Sequence, residues 1–482
     1  MNRVLPERAY ETLDDYVAAG GGRGLEAARA VAPEVVIAEI EASGLRGRGG
    51  AGFPTGTKWR TVRDHRSDLL PTSVVVNAAE GEPGTFKDRT IMRLDPYSVL
   101  EGALVAAHAV GAAIVVVATK ATFSPEVARL RRAMAEVRRA GWLAEDFELS
   151  LHEGPSEYLY GEETALLESI AGRPPFPRIA PPFRRGVTEV VELDADDESG
   201  LAAPVDMAGP SDGDVAPPTL VDNVETLANV PRTVSEGAAW FRRYGTDESP
   251  GTIVCTVTGS VRRPGVGEVP MGTPLAEAIA AIAGGPLDGR RLVAVLPGVA
   301  NGYVPADLLA TPLTYEAMAA NGSGLGSASF RALDDGDDVV AVTAGASRFL
   351  AVESCGQCVP CKQDGLTLAT ILERLCRGEP EPGDVDVLKT RAATVGDRAR
   401  CYLALQHQAV VTSLLDRFPD HVEAHATHEA PPTDRALVAE LVDLGDGHAA
   451  IDEDFRHKQP DWDHGRTDSG QAPADRHAEH RS

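Results

Sequence analysis

Three cysteines fall at two-residue intervals in ESCGQCVPC, residues 353–361, and they are half of the six in the chain. Cys355, Cys358 and Cys361 follow Cys-x2-Cys-x2-Cys. Six helical residues advance only about 9 Å, so one turn of backbone can gather three sulfurs around one small object. Grouped reduced thiols suggest metal before disulfide. Zinc favours two separated Cys-x2-Cys pairs. Three close cysteines and a distant fourth suit an iron–sulfur cubane, in which each thiolate takes one iron; zinc stays the alternative. Cys376, in step with Ile371, Leu372 and Leu375, reads as a small buried hydrophobe. Cys401 follows a polar stretch and opens a helix, where the helix dipole favours a thiolate. Cys401 is therefore the expected fourth ligand, and Cys255, in an apolar strand, reads as core.

A second candidate is the glycine-dense GLRGRGGAGFPTGTKW, Gly44–Trp59. Glycine lets backbone approach a ligand closely and offers unobstructed N–H groups. Arg46, Arg48 and Lys58 add positive charge, so the stretch describes an anion-binding loop or, failing that, a flexible turn. It lacks the Gly-Lys-Ser/Thr of a Walker loop, and a helix rather than a strand precedes it, against a dinucleotide fingerprint. The carboxylates of NAAEGEPGTFKDR (77–89) and of Gly161-Glu162-Glu163 read by themselves as turn and helix-start residues. His421–His428 could bind metal or end a solvated helix.

The elements that must position these groups follow from periodicity. Ser73–Asn77 and Ala113–Ala118 read as buried strands. Pro33–Ala42, Tyr97–Val110 and the basic-faced Glu126–Ala140 read as helices. That alternation predicts an α/β layer with a largely parallel sheet. Thr252–Gly259, VRRPGVGEVPMGT and RLVAVLPG suggest a small β-rich domain with one helix, PLAEAIAAIAGG. From Ser354 to Glu423 apolar residues recur at helical spacing. LVAELVDLGDGHAAIDEDF is a hairpin about Gly445–Gly447 or a helix and a loop. Disorder is expected beyond Lys458.

The net charge of −26 comes from 46 basic and 72 acidic residues, and Gly186–Pro218 carries nine acids and no base. Such a surface repels nucleic acid and anionic lipid. No apolar run reaches membrane-span length and the first residues lack a signal-peptide pattern, so a cytoplasmic protein is expected.

GLRGRGGAGFPTGTKW, EGEPGTFKDR, YGEETALLESIAGRPPFPR, PTLVDNVETLANVP and ESCGQCVPC together resemble the flavin- and NADH-binding subunit of bacterial complex I. That subunit is the counterpart of the mitochondrial 51 kDa subunit, and diaphorase subunits of NAD-linked hydrogenases and formate dehydrogenases share its motifs. The resemblance spans about residues 31–425. Composition marks residues 1–30 as a polar lead-in and 186–218, rich in Pro, Gly and acids, as a solvated surface insertion; the resemblance implies a Rossmann-like FMN/NADH-binding α/β domain over 31–245. A β-grasp-like, SLBB-type domain (250–335), a helical [4Fe–4S] domain (345–425) and a partly disordered acidic tail (426–482) follow. By motif match, Arg46, Gly47, Gly49, Gly50 and Lys58 would cradle FMN, with Asn77, Glu80, Tyr158, Gly161, Glu162 and Asn223 lining the flavin. Phe53 and Phe183 resemble aromatics that stack on NADH, and Glu82 and Glu163 resemble acids near its ribose and adenine. Cys355, Cys358, Cys361 and Cys401 match the cluster ligands.

The implied activity is hydride transfer from NADH to FMN, then single electrons to the cluster and a partner. The family pairs with a thioredoxin-like [2Fe–2S] subunit and further redox subunits, which would place the chain in the cytoplasm or peripherally at the membrane. Ala79 stands where the family has Asp, Asp222 where it has Asn, Thr61 where it has an aromatic, and Tyr402 where Pro follows the fourth cysteine. An acid at 222 would repel flavin phosphate, so the alternative is a divergent electron-transfer or assembly subunit that keeps the cluster and has lost FMN or NADH.

Overall fold

The computed structural model describes residues 4–66, 71–179, 218–465 and 467–479. Four strands form the first sheet: β1 (Ser73–Ala78), β2 (Ile114–Lys120), β3 (Glu148–Gly154) and β4 (Thr219–Asn223). Their order is β3-β2-β1-β4 and every neighbouring pair is parallel. The valines of β1 and β2 are buried, as expected of a parallel sheet covered on both faces. Helix Pro96–Val110 returns the chain from β1 towards β2; Asp95 caps it and Gly111 ends it at φ +71°. Its buried residues join those of β1 and β2 in the largest apolar cluster. Strand order reverses between β1 and β4, so a crevice opens outside their carboxyl ends.

The lead-in is more than polar chain. Helices Leu13–Ala18 and Arg23–Arg29 pack onto this domain. The fully buried Glu101 carboxylate accepts from the Tyr16 hydroxyl and from the Gly22 and Leu25 amides, which anchors both.

A second sheet contains β5 (Thr252–Gly259), β6 (Gly265–Pro270), β7 (Leu292–Pro297), β8 (Val304–Pro305) and β9 (Ser329–Asp334). The order is β6-β5-β9-β7-β8, with β5 and β9 parallel at the centre and the other pairs antiparallel. Helix Leu275–Ala283 packs on it and ends at Gly284, φ +75°. This is a β-grasp-like arrangement. Helices Val339–Glu353, Val359–Cys376, Asp384–Thr394, Leu403–Arg417 and Pro419–Ala426 then share a third core.

Of the two readings of the tail, the hairpin holds: β10 (Leu441–Gly445) pairs antiparallel with β11 (His448–Ile451). Asp446 and Gly447 both have positive φ, 50° and 75°, as a two-residue turn of matching twist requires. Disorder beyond Lys458 does not describe residues 459–465 and 467–479. The Trp462 indole donates to the Val352 carbonyl (3.1 Å), Arg476 pairs with Asp461 (3.4 Å), and Pro473–Glu479 is helical. Composition reads these acids as solvated, whereas Asp461 is used locally. The acidic insertion, Pro218 excepted, and Phe183 lie outside the described residues. Among the described residues no helix is long and apolar enough to cross a membrane.

Candidate functional site

Cys355 and Cys358 occupy the bend between helices Val339–Glu353 and Val359–Cys376; Cys358 is the N-cap and Cys361 lies in the first turn. Cys401 arrives two residues before helix Leu403–Arg417. All four line one pocket of about 290 Å³, counting its open mouth, together with Leu159, Ser354 and Leu403. Cys355 and Cys361 are buried, and Cys358 and Cys401 partly exposed. Cys376 has no exposure and packs in the helical core away from this pocket, and Cys255 is buried in β5. Among the described residues no three His, Cys, Asp or Glu side chains approach closely enough for a single metal ion. Four thiols lining one pocket suit a polynuclear group in which each sulfur takes its own iron.

The surroundings fit an anionic cluster. The Arg400 amide donates to Cys358 Sγ (3.4 Å) and the Ser354 hydroxyl meets Cys361 Sγ (3.3 Å). The buried Lys362 ammonium donates to the Ala351 (3.1 Å), Ser354 (2.8 Å) and Pro460 carbonyls beside them. Burial pulls Lys362 down to about 8, and the neighbouring Cys361 and Cys355 oppose that pull. The Gln357 amide oxygen, in the pocket wall, is buried without a partner among the described residues.

The crevice at the β1–β4 reversal holds the second group of candidates. Asn77 donates to the Gly161 carbonyl (2.8 Å) and accepts from the Ala79 amide (3.2 Å). Asn223 caps helix Val224–Glu236 through Glu225 N (3.0 Å) and donates to Asp88 (2.7 Å). The glycine loop closes on itself where the Gly47 amide donates to the Phe53 carbonyl (2.8 Å). A Cβ on Gly49 would come within 3.2 Å of Asn223, and one on Gly52, at φ +64°, within 2.3 Å of the Tyr315 ring. Only glycine allows so close an approach. The Gly49, Gly50 and Ala51 amides have no partner among the described residues, and Phe53 beside them is 53 % exposed. Unsatisfied N–H groups at a strand-end crevice fit a phosphate-bearing ligand.

Lys58 donates to Glu163 and to the Val221 carbonyl (2.6 Å) and lies 3.9 Å from Asp222. Burial opposes its charge, but Glu163 and Asp222 outweigh that and hold its pKa above the ordinary value. Glu82 accepts from the Val299 amide (2.7 Å) and the Tyr158 hydroxyl, and burial raises its pKa. Glu162 caps helix Glu163–Ile170 through the Thr164 and Ala165 amides, and burial raises it too. Two candidates turn elsewhere. Arg46 pairs with Glu316 and lies 4.0 Å over the Tyr315 ring, tying the loop to the second domain. Glu80 is buried against the Asp88 amide (2.9 Å) and Arg89 Nε (3.0 Å).

Three of the four departures in the sequence are absorbed inside the crevice domain. Ala79 packs in an apolar cluster, Thr61 bonds back to Thr57 O (2.9 Å), and Asp222 accepts from the Trp59 indole (2.7 Å). The Asp222 carboxylate is thus held by the Trp59 indole and lies 3.9 Å from the Lys58 ammonium. Tyr402 is exposed. The "HVEAHATH" histidines gave metal or solvation as options, but His425 is buried, bridging Asp338 (2.9 Å) and the Leu375 carbonyl (3.2 Å). Sequence reasoning missed Lys87, whose ammonium joins Asp88 (2.7 Å), Glu225 (2.9 Å) and Asn223 (3.2 Å). It also missed Gln406, 3.1 Å from the Tyr158 hydroxyl. Lys87 lay within the quoted TFKDR, while Gln406 carried no local signal.

Residues 40–232 match the Nuo51 FMN-binding domain, 254–304 the SLBB domain, and 341–425 the NADH-ubiquinone oxidoreductase-F iron–sulfur binding region. The chain is 37 % identical over 424 residues to an F-type subunit of the NADH-quinone oxidoreductase of Rhizobium meliloti (strain 1021), spanning 85 % of this chain and 94 % of that one. It is 35 % identical over 430 residues to the NADP-reducing hydrogenase subunit HndC of Solidesulfovibrio fructosivorans, spanning 88 % and 82 %. The crystal structure of NAD+-reducing [NiFe]-hydrogenase in the H2-reduced state superposes with a TM-score of 0.71 at 31 % identity, over 89 % of this chain and 68 % of that one.

Proposed function

The chain belongs to the family of F-type, or 51 kDa-type, subunits of NADH-quinone oxidoreductase, and on that footing we propose that it is an NADH-oxidising electron-transfer subunit whose crevice takes FMN and whose four thiols take a [4Fe–4S] cluster. One short turn, Tyr158–Gly161, carries the reading. Its Gly161 carbonyl holds Asn77 at the strand ends, its Tyr158 hydroxyl holds Glu82, and its Leu159 lines the thiol pocket. Two sites of different chemistry therefore meet at one element, which keeps a donor and an acceptor of electrons close together.

When bound, FMN takes the two electrons of a hydride from NADH and the cluster takes electrons singly. The chain's own part is placement and exclusion of water, and the hydride step asks for no side-chain acid or base. Lys58 and the amides of Gly49 and Gly50 would hold the flavin phosphate, and Gly47, whose own amide is bonded to the Phe53 carbonyl, would keep the loop closed around it. Asn77, Tyr158, Gly161, Glu162 and Asn223 would wall the crevice. Phe53 would stack on NADH, with Phe183 as its counterpart, and Glu82 and Glu163 would position the dinucleotide hydroxyls. Arg46 and Glu80 would act indirectly, fixing the loop and the start of helix Lys87–Leu94. Cys355, Cys358, Cys361 and Cys401 would ligate the cluster, with the Arg400 amide and Ser354 hydroxyl donating to sulfur and so tuning its potential.

The relatives are subunits of multi-subunit redox complexes. We place a thioredoxin-like [2Fe–2S] subunit and further redox subunits beside this protein, which would keep it soluble or peripheral to a membrane. Anaerobic purification with iron, zinc and flavin analysis tests the reading. A yellow protein bleached by NADH and much less by NADPH, with iron and acid-labile sulfide, is the expected result. Iron without flavin would favour the divergent subunit, and zinc without iron would overturn the assignment.

A further inference from the structure

A second cavity lies between the lead-in helices, the start of helix Pro96–Val110 and the later turns of helix Val224–Glu236. It measures about 650 Å³ counting its open mouth, and it shares no lining residue with the thiol pocket. Its lead-in wall, between residues 4 and 24, precedes the first matched region, 40–232. Two groups of opposite charge in the wall lack an ionic partner. Asp95 is 5 % exposed, accepts the Ser98 amide (3.0 Å) and joins no ion pair among the described residues. Burial lifts its carboxyl to about 7, as for an acid with no cation beside it. Neighbouring Glu101 differs, because three donors already satisfy it. Arg232 lies 4.8 Å over the Trp240 ring, and its guanidinium has no hydrogen bond or ion pair among the described residues. Arg23, also in the wall, is taken up by Glu236 (3.4 Å). Burial raises the pKa of the Tyr10 phenol, Asp95 adds to that rise and Arg232 opposes it, so both charges stand near one hydroxyl. The Tyr10 and Tyr16 rings, packed edge to face at 5.6 Å, line the same cavity.

We propose that this cavity binds a small zwitterion, an amine and a carboxylate joined by a short carbon chain, with its ammonium on Asp95 and its carboxylate on Arg232. A plain cation would neutralise Asp95 but meet the arginine, and a plain anion would meet the reverse. A zwitterion pairs both charges and brings no net charge with it, while its methylenes lie against the tyrosine rings. The site stands apart from the thiols and from the glycine loop, so it does not rest on the flavin or cluster assignment.

The probes are glycine, β-alanine and γ-aminobutyrate, a series in which the two charges move apart. They are titrated at millimolar concentration into the holoprotein and followed by calorimetry and by melting temperature. Ethylamine and acetate are the single-charge controls. At least one zwitterion binds and raises the melting temperature, and neither control does. Asp95→Asn keeps a residue able to cap helix Pro96–Val110, and Arg232→Gln changes an exposed side chain. Both variants therefore fold, with flavin and iron content as in wild type. Each weakens zwitterion binding on the order of tenfold. The proposal is overturned if none of the three probes binds, if either control binds as tightly as the best zwitterion, or if either substitution leaves binding unchanged.

Discussion

At the scale of single residues, what separates one cysteine from another is what lies around its sulfur. Cys376 is packed between helices, and burial drives its thiol up to about 12. Cys401 reaches the same pocket as Cys355, Cys358 and Cys361. Cys401→Ser should therefore lose most of the bound iron and the visible absorbance. Cys376→Ala should retain both and cost about 1–2 kcal/mol of stability from the small cavity; iron analysis and thermal melts distinguish the two. Asp222 gives a second test. Burial raises its carboxyl from 3.8 to about 6, so the folded protein binds that proton more tightly than the unfolded chain does. The anion therefore costs stability above about pH 6, and the cost fades as pH falls towards the unfolded value. Asp222→Asn keeps an acceptor for the Trp59 indole. It should stabilise the protein by about 1–3 kcal/mol at pH 8, and the gap to wild type should close by about pH 4 in melts across that range.

At the scale of elements, the Tyr158–Gly161 turn is the joint of the molecule. A Cβ on Gly161 would lie 2.9 Å from the Ala79 carbonyl, so Gly161→Ala should push the turn off β1. Reduced flavin content with cluster content retained is the expected signature. Tyr158 faces Glu82 on one side and Gln406 on the other, while its backbone amide donates to Glu353 (3.0 Å). One hydroxyl proton cannot serve two acceptors, so the Gln406 amide nitrogen is best turned towards the phenol oxygen, which then donates to Glu82. Tyr158→Phe leaves Glu82 with the Val299 amide alone. It should cost about 1–3 kcal/mol, read as a lower melting temperature. The glycine loop obeys the same logic: Gly52 lies against Tyr315 of the second domain, so that loop is fixed by a partner far away in sequence.

At the scale of the whole molecule, the tail is a strap rather than a solvated appendage. Glu440 pairs with the buried Lys120, and Lys458 pairs with Glu353 (2.6 Å) at 6 % and 3 % side-chain exposure. Removing one member of such a pair strands a charge in the interior. Lys458→Met should cost about 3–5 kcal/mol. Hydrogen exchange should then quicken in helix Val339–Glu353, which Glu353 ends, before it quickens in the first sheet. An unchanged melting temperature would mean that the tail is dispensable.

The residues near one another in sequence were readable from it. Cys-x2-Cys-x2-Cys points to a metal site, iron–sulfur before zinc, because three thiols so close in sequence can be gathered around one small object. The valine runs of β1 and β2 declare buried parallel strands because only a sheet covered on both faces hides them. Periodicity likewise set the helices to within a few residues, and the run of motifs pointed to the family. What the chain order could not reveal is which distant groups neutralise which. Nothing local to Asp222 announced Trp59 and Lys58 as its partners, His425 could read as solvated until Asp338 met it, and the tail read as disordered until its lysine and tryptophan reached helix Val339–Glu353. Burial and pairing of charge depend on where other elements pack. Local sequence therefore determined the chemistry on offer, and only the tertiary structure decided which charges are matched, which are buried and which remain free at the surface.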